Sequence, residues 1–341
     1  MVLGLGLQKS LYTSTIAFAG LMALAGMASA EVGASWDEIV ALAKEEGHVN
    51  YYSIMPPAQN DALVAAFNAA YPEIEVVVVR GAGDLPGRVA AEREANADGA
   101  DVISLADPAW FVLNSGDFLT PQGPNIDAFP ADHWIEEGKS LNLSYSPLGF
   151  IIWNTNRVPD GLETWDDLLD PALKGRIGTR EGMTATFAGF MDFLQRNKGD
   201  DYLAAFGQQD LRFYNSTVPL TQAVAAGEVW IGNSGNIATL LSLVEQGAPI
   251  DYVYPDPSFA NQQAGAAFAY SQRPNAALVF LDFAAGPEGQ TAMNQNALGG
   301  SPLPGIEGAI DMANFQILDP VKFTQDVRNE WQVVFEDLWR P

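Results

Sequence analysis

Residues 76–92 read VVVVRGAGDLPGRVAAE, and this stretch decides the fold. A run of valines ends at Arg80, passes two glycines and continues as a helical pattern, which predicts a strand, a tight turn and a helix. The neighbouring stretches HVNYYSI and ADVISLA also read as strands, and each precedes a helical pattern. This alternation predicts a doubly wound α/β lobe, and the unbroken valine run predicts a parallel strand covered on both faces.

The same alternation returns in the second half of the chain. SYSPLGFIIWNTNRVP, RIGTREG and EVWIGNSG read as strand regions between helical patterns. With 341 residues and no flexible linker, the chain predicts the α/β class, with two doubly wound α/β lobes joined by hinge strands. We predict lobe 1 over residues 31–138 and 252–305, and lobe 2 over residues 139–251 and 306–341.

Residues 1–30 predict a secretory signal peptide. A single cation, Lys9, precedes an apolar core of about 15 residues that ends in a small-x-small site at Ala30. A membrane anchor is the alternative, but glycines interrupt the apolar segment and no basic flank follows it. We therefore expect an exported, periplasmic protein.

Composition narrows the classes of partner. The formal net charge is −25, which argues against nucleic acid or anionic lipid as a partner. Diffuse surface acidity for solubility accounts for this charge, and a cationic ligand is the alternative. The chain has no cysteine, so it holds neither disulfides nor thiolate metal sites.

Six phrases, spread in order over nearly the whole chain after residue 30, resemble the periplasmic solute-binding proteins of ABC importers. They are YYSI, VVVVRGAGDLPGRVAAE, ADVISLADPAWF, SPLGFIIWNTNRVP, ETWDDLLDPALKGRIGT and LTQAVAAGEVWIG. The branch they resemble contains binders of ferric ion, thiamine, phosphonate and sugar phosphate. The resemblance implies a type II periplasmic binding fold, a ligand clamped between the lobes, delivery to an ABC permease in the inner membrane, and a monomer.

The strand ends carry the candidate ligand-binding residues, because ligands of open α/β sheets lie beyond the carboxyl ends of the strands. In the first lobe, Gly81 and Gly83 are expected to adopt unusual backbone angles and admit a ligand, while Arg80 offers a forked donor to a carboxylate or phosphate. The alternative is a tight turn with Arg80 paired to a surface acid. Ser53 and Asp107 are further candidates, for which helix capping is the alternative.

The second lobe repeats the pattern of an arginine and a glycine before a helix, in GTREGMTATF. This recurrence predicts a negatively charged ligand group, because a helix N-terminus favours an anion. Ordinary helix capping is the alternative for about half of the polar residues. The candidates are Arg180, Gly182, Thr184, Ser216, Thr217, Asn233 and Ser234, with Tyr145, Ser146 and Tyr254 near strand ends or the inferred crossover.

The sequence differs from the ferric-ion binders of the resembled branch at the positions that hold the metal. Its ferric binders hold the metal with a tyrosine pair after the strand that corresponds to EVWIG, often with a histidine near the first strand end. Here NSGN follows that strand, and the only histidines, His48 and His133, lie elsewhere. We therefore predict no metal site and no cofactor.

The predicted function is that of a solute-binding component of an ABC importer. No nucleophile, zinc-protease or phosphate-loop motif predicts catalysis, so we expect no enzyme. We expect a small anionic or zwitterionic organic solute, phosphonate-, sugar-phosphate- or carboxylate-like. The alternative is a cationic molecule, thiamine- or polyamine-like, and ferric ion is less favoured.

Overall fold

A computed structural model describes residues 31–81, 83–136 and 138–340, which form two α/β lobes, each built on one sheet. The predicted signal peptide lies outside the described residues. Within the described ranges, no helix combines the length and the apolar character needed to cross a bilayer.

The strands alternate with helices along most of the chain. The strands are β1 (His48–Ser53), β2 (Glu75–Arg80), β3 (Val102–Leu105), β4 (Trp134–Glu136), β5 (Ser140–Gly149), β6 (Ile151–Asn154), β7 (Ile177–Arg180), β8 (Arg212–Tyr214), β9 (Ile231–Gly232), β10 (Ile250–Val253), β11 (Ser258–Ala267) and β12 (Phe315–Ile317). The α-helices are α1 (Trp36–Glu46), α2 (Pro57–Ala70), α3 (Leu85–Glu94), α4 (Pro108–Leu113), α5 (Pro124–Asp127), α6 (Ala185–Lys198), α7 (Asp200–Gly207), α8 (Thr217–Ala226), α9 (Ile237–Glu245), α10 (Pro274–Ala285), α11 (Pro287–Asn294) and α12 (Gln325–Trp339).

The first sheet has the order β2-β1-β3-β11-β5-β4, and β12 pairs with β11. β1 is parallel to both β2 and β3, whereas β11 is antiparallel to β3 and β5. The prediction that β2 is covered on both faces is wrong, because β2 is the edge strand and Val77 is 39% exposed. Its valines fit the pleated edge through their branched side chains rather than through complete burial.

The second sheet has the order β10-β6-β9-β7-β8. β7 is parallel to β8 and β9, and β6 is antiparallel to β9 and β10. The carboxyl ends of β7, β8 and β9 therefore lie at one edge of this sheet.

Each lobe has its own apolar core. In the first lobe α10 is buried along its whole length, and Phe280 packs against Phe67 of α2 with ring centres 5.1 Å apart. In the second lobe Trp165, Phe193 and Trp339 are buried together, with Trp339 supplied by the C-terminal helix. Each such side chain contributes about 1.5–3 kcal/mol by leaving water.

The chain crosses between the sheets where β5 leads into β6 and where β10 leads into β11. A further crossing follows β12, since Leu318 is buried in the second-lobe core. The predicted boundary after residue 138 assigns β5 to the second lobe, but its hydrogen bonds to β11 and β4 place it in the first sheet. The remaining division between the lobes stays a prediction.

Candidate functional site

Two sheet edges hold most of the candidate residues. Because β1, β2 and β3 are parallel, their carboxyl ends bring Ser53, Arg80 and Ser104 together at what we call the first edge. The carboxyl ends of β7, β8 and β9 form the second edge, which carries Arg180 and Asn233. Each edge is followed by the N-termini of three helices, α2, α3 and α4 in the first lobe and α6, α8 and α9 in the second.

Ser53 is fully buried and its hydroxyl is already hydrogen-bonded within the first lobe. It donates to Asn60 Oδ1 at 2.8 Å, and it accepts from the Met55 N–H at 3.1 Å and from Ser104 Oγ at 3.1 Å. The hydroxyl therefore ties β1, β3 and the start of α2 together. This network leaves Ser53 with a structural role and no free hydrogen-bonding position for a ligand.

Arg80 is exposed, and its Nε donates to the Met55 carbonyl at 3.1 Å. Within the described ranges no carboxylate forms an ion pair with it, which does not favour the alternative of a surface salt bridge. Neither Gly81 nor Gly83 has a positive φ, so the backbone angles at these positions do not themselves require glycine. Gly81 is required for space instead, because a Cβ there would collide with the Leu85 side chain.

Asp107 is a helix cap. Its side chain accepts from the Trp110 N–H at 3.2 Å at the start of α4. The carboxylate is exposed and remains within reach of solvent. The alternative of capping therefore accounts for this residue.

Arg180 ends β7 and is held from two sides. Its Nη2 donates to Thr184 Oγ1 at 2.7 Å, and its guanidinium carbon lies 5.2 Å from the centre of the Phe187 ring. Its Nε is buried without a hydrogen-bond partner, and among the described residues it forms no ion pair. Burial lowers the pKa of this guanidinium, which still stays charged at neutral pH. The side chain is thus a fixed, partly desolvated cation without an anion.

The turn after Arg180 holds two more of the candidate residues. Gly182 has φ +92°, a region that favours glycine. Thr184 is the N-cap of α6 and accepts from the Phe187 N–H at 3.3 Å. Thr184 therefore connects the free N-terminus of α6 to the guanidinium of Arg180.

Buried polar atoms without partners also lie at the carboxyl ends of β7 and β9. Asn233 and Ser234 follow β9 and are essentially unexposed, yet both amide atoms of Asn233 and the Ser234 hydroxyl lack a hydrogen bond. Thr179, also unexposed, has an unpaired hydroxyl on the adjacent strand β7. Because Ile177 pairs with Ile231, continuing that register places Thr179 opposite Asn233 on the same face.

Ser216 and Thr217 lie at the start of α8. Ser216 is the N-cap residue by position, but its side chain makes no capping hydrogen bond. Thr217 is half-buried, and its carbonyl accepts from Thr221. The Ser216 hydroxyl at the second edge is thus not used by the helix that it begins.

Tyr145 and Ser146 lie on β5 rather than at either edge. Tyr145 bonds to His133 Nδ1 at 2.7 Å and lines a 670 Å³ cavity with the loop that follows Gly300. Ser146 pairs with Asn261 of β11 in the strands that connect the lobes.

Tyr254 lies where β10 leads into β11. Its ring packs between Phe150 and Phe315, with ring centres 5.3 and 5.1 Å away. Its hydroxyl is buried without a partner, and burial raises its pKa.

The second edge collects positive charge. Its three helix N-termini supply partial positive charge, and Arg180 supplies a full one. In the part of the chain that the structure describes, no group of three or more histidines and carboxylates converges as a metal site.

Three residues at the second edge or on the connecting strands were not among the candidates predicted from the sequence. They are Thr179, Phe187 and Asn261, the last of which has an unpaired, buried Oδ1 on a connecting strand. Thr179 was open to prediction, because it is a polar residue at the end of an otherwise apolar buried strand. Phe187 and Asn261 become recognisable only once α6 and β11 are in place.

Comparisons with known proteins agree with this architecture. A family model described as bacterial extracellular solute-binding protein matches residues 62–320. No curated protein sequence matches the chain. Among solved structures, the substrate-binding protein of an ABC transporter from Agrobacterium tumefaciens is similar with TM-score 0.71 and 18% identity, over 88% of this chain and 97% of that one.

Two further structures were solved with ligands. Iron-bound HitA from Pseudomonas aeruginosa has TM-score 0.63 and 19% identity, covering 85% of this chain and 99% of its own. AfuA from Actinobacillus pleuropneumoniae, with fructose-6-phosphate bound, has TM-score 0.62 and 20% identity, covering 86% and 99%. At these identities the similarity establishes the shared fold.

Proposed function

This chain belongs to the family of bacterial extracellular solute-binding proteins, the components that deliver ligands to ABC permeases, and we propose that its ligand is a small organic anion. Membership implies a location outside the cytoplasm, and the signal peptide predicted for residues 1–30 points to the periplasm. A phosphate, phosphonate or carboxylate group of the solute is held at the second edge.

The observation that carries this proposal is the unpaired Nε of Arg180. A buried donor without an acceptor is costly, so its retention calls for a compensating role. An oxyanion at the second edge supplies the missing acceptor and receives a charge-assisted hydrogen bond. Because Phe187 and Thr184 already fix the guanidinium, little side-chain freedom is lost on binding.

The uncharged groups of the second edge could contact the rest of such a ligand. Asn233 offers both a donor and an acceptor, and Ser234 and Thr179 offer hydroxyls. A solute with hydroxyl or amide groups next to its anionic group would satisfy them together. These groups favour a polar organic anion, such as a sugar phosphate, of which inorganic phosphate reproduces only the charged group that Arg180 would hold.

Closure of the first lobe over the bound ligand completes the proposed cycle. Arg80 is exposed and free of ion pairs among the described residues, so it is available to a ligand that bridges the lobes. The chain crosses between the lobes on strands, which suits a hinge movement. A ligand stabilises the closed form only through contacts that the open form lacks.

A thermal-shift screen tests the class of ligand. The panel contains phosphate, phosphonoacetate, fructose 6-phosphate, citrate, ferric citrate, thiamine and spermidine. A ligand present at 100 times its Kd adds about 2.7 kcal/mol to the free energy of unfolding. We expect stabilisation by organic anions that disappears in Arg180→Met and persists in the charge-matched control Arg196→Met. Stabilisation by thiamine or spermidine alone, unchanged in Arg180→Met, would contradict the proposal.

A further inference from the structure

A second arginine is paired with the residue that follows Arg180, although it comes from the C-terminal end of the lobe's sequence. Arg340 Nη1 forms an ion pair with Glu181 Oε2 at 2.9 Å. Glu181 directly follows Arg180 and is the acid nearest to it in sequence. The carboxylate that could most easily neutralise Arg180 is therefore engaged elsewhere.

The fold holds Arg340 in this place. The preceding residue, Trp339, is buried, and its Nε1 donates to the Leu203 carbonyl at 3.0 Å. The Arg340 guanidinium carbon lies 5.4 Å from the centre of the Phe213 ring. Phe213 belongs to β8, whose Tyr214 carbonyl accepts from the Glu181 N–H at 2.7 Å. The C-terminal helix thus delivers a cation to the turn that carries the site.

We propose that Arg340 is a positioning residue that holds the Glu181 carboxylate away from Arg180 and so keeps Arg180 available to an anionic ligand. This inference rests on the proposed function of the second edge. A free Glu181 would compete with the ligand for the Arg180 guanidinium and repel the ligand's negative charge. An exposed ion pair adds little to folding stability, so loss of Arg340 is expected to act on the site rather than on the fold.

Calorimetric titration with inorganic phosphate tests the proposal on the full exported chain. We expect Arg340→Met to weaken phosphate binding about tenfold, because it releases a carboxylate beside the site. Glu181→Gln/Arg340→Met is expected to bind within about twofold of the wild type, and Arg340→Lys to keep most of the affinity. Arg196→Met is the matched control, since it removes an arginine with a carboxylate partner at the far end of α6 and should leave binding unchanged.

A second measurement needs no ligand, so failure of the anion assignment and failure of this inference can be told apart. In the unliganded protein, the NMR signal of Arg180 Nε–H should shift and exchange more slowly in Arg340→Met, when Glu181 pairs with it. The double variant should restore the wild-type signal. If the wild type binds no anion, the proposed function fails and this signal alone decides the role of Arg340.

Two results would overturn the role of Arg340. One is an Arg180 signal unchanged by Arg340→Met. The other is weakened phosphate binding that persists after Glu181→Gln is added, because that would mark a structural defect rather than release of a carboxylate.

Discussion

The first edge and the second edge hold similar residues but use them differently. At the first edge, Ser53 makes three hydrogen bonds within its lobe and Asp107 caps a helix. At the second edge, Arg180 Nε and both amide atoms of Asn233 are buried without partners. Both edges come from parallel strands followed by helices, so the difference lies in the side chains and not in the architecture.

The contrast distinguishes polar groups that stabilise the fold from polar groups that are available to a ligand. A buried polar group with its partners rigidifies the lobe, whereas one without partners lowers the stability of the unliganded protein. Such an unpaired group calls for an explanation, and a ligand that supplies the missing partner is one. We therefore propose that the second edge carries the ligand's charge and that the first edge is the surface that closes over it.

The largest expected effect compares the two arginines. Arg180→Met should reduce the affinity for the best anion of the thermal-shift panel by about 100-fold or more, because the charge it removes is partly desolvated and fixed in place. Arg80→Met should reduce it by about tenfold or less, because Arg80 is exposed and screened by solvent. Calorimetric titration of both variants gives the two ratios. Equal losses would remove the distinction between the edges.

The next prediction concerns the free energy of unfolding, which removing a buried polar group should change in opposite directions at the two edges. Ser53→Ala should lower the free energy of unfolding by about 1–3 kcal/mol, because it leaves Asn60 and the Met55 N–H without their partner. Asn233→Leu should leave the unliganded protein as stable or raise its stability by about 1 kcal/mol, while anion binding weakens. Urea unfolding of the unliganded variants measures both. A strongly destabilised Asn233→Leu would mean that its amide is paired in solution.

Replacing a glycine by alanine should destabilise the protein at both edges, but for different reasons. Gly182→Ala should cost about 1–2 kcal/mol through its positive φ, although a Cβ there meets no atom within 4 Å. Gly81→Ala should cost about 1–3 kcal/mol through its collision with Leu85. Substituting Leu85→Ala as well should recover part of the loss at Gly81, whereas no neighbouring substitution should rescue Gly182→Ala. The test is chemical denaturation of these variants.

The smallest expected effect is a loss of stability at high pH, caused by one tyrosine in each lobe. Burial and, as a smaller cause, a hydrogen bond to Glu92 raise the pKa of Tyr52 to about 12. Burial and a hydrogen bond to Glu228 likewise raise the pKa of Tyr214 to about 12. The unfolded value is about 10, so the neutral phenols stabilise the fold fully below pH 10. That contribution should be lost as the pH rises from about 10 through about 12. Phenolate absorbance of the folded protein at pH 10 and 11 checks this, and ionisation near pH 10 would contradict it.

The sequence predicted the parts of this account that depend on neighbouring residues. The valine run before Arg80 predicted a strand, and Asp107 and Thr184 cap the helices that they precede. Burial of Ser53 could not be predicted, because Asn60 and Ser104 reach its hydroxyl only after the sheet and α2 have packed.

The features that set the two edges apart depend on residues distant in sequence. The edge position of β2 depends on which strands pair with one another. The amide of Asn233 is unpaired because no donor or acceptor from another described part of the fold is placed to form a hydrogen bond with it. The pair between Arg340 and Glu181 forms because the C-terminal helix docks on the second lobe. No local pattern encodes these contacts.

The most direct measurement is a crystal structure of the protein with the best anion of the panel. We predict an oxygen of the anionic group within hydrogen-bond distance of Arg180 Nε, with Asn233 or Ser234 bonded to the same ligand. A ligand that leaves the Arg180 Nε unpaired, with its charged group held by residues of the first edge alone, would contradict it.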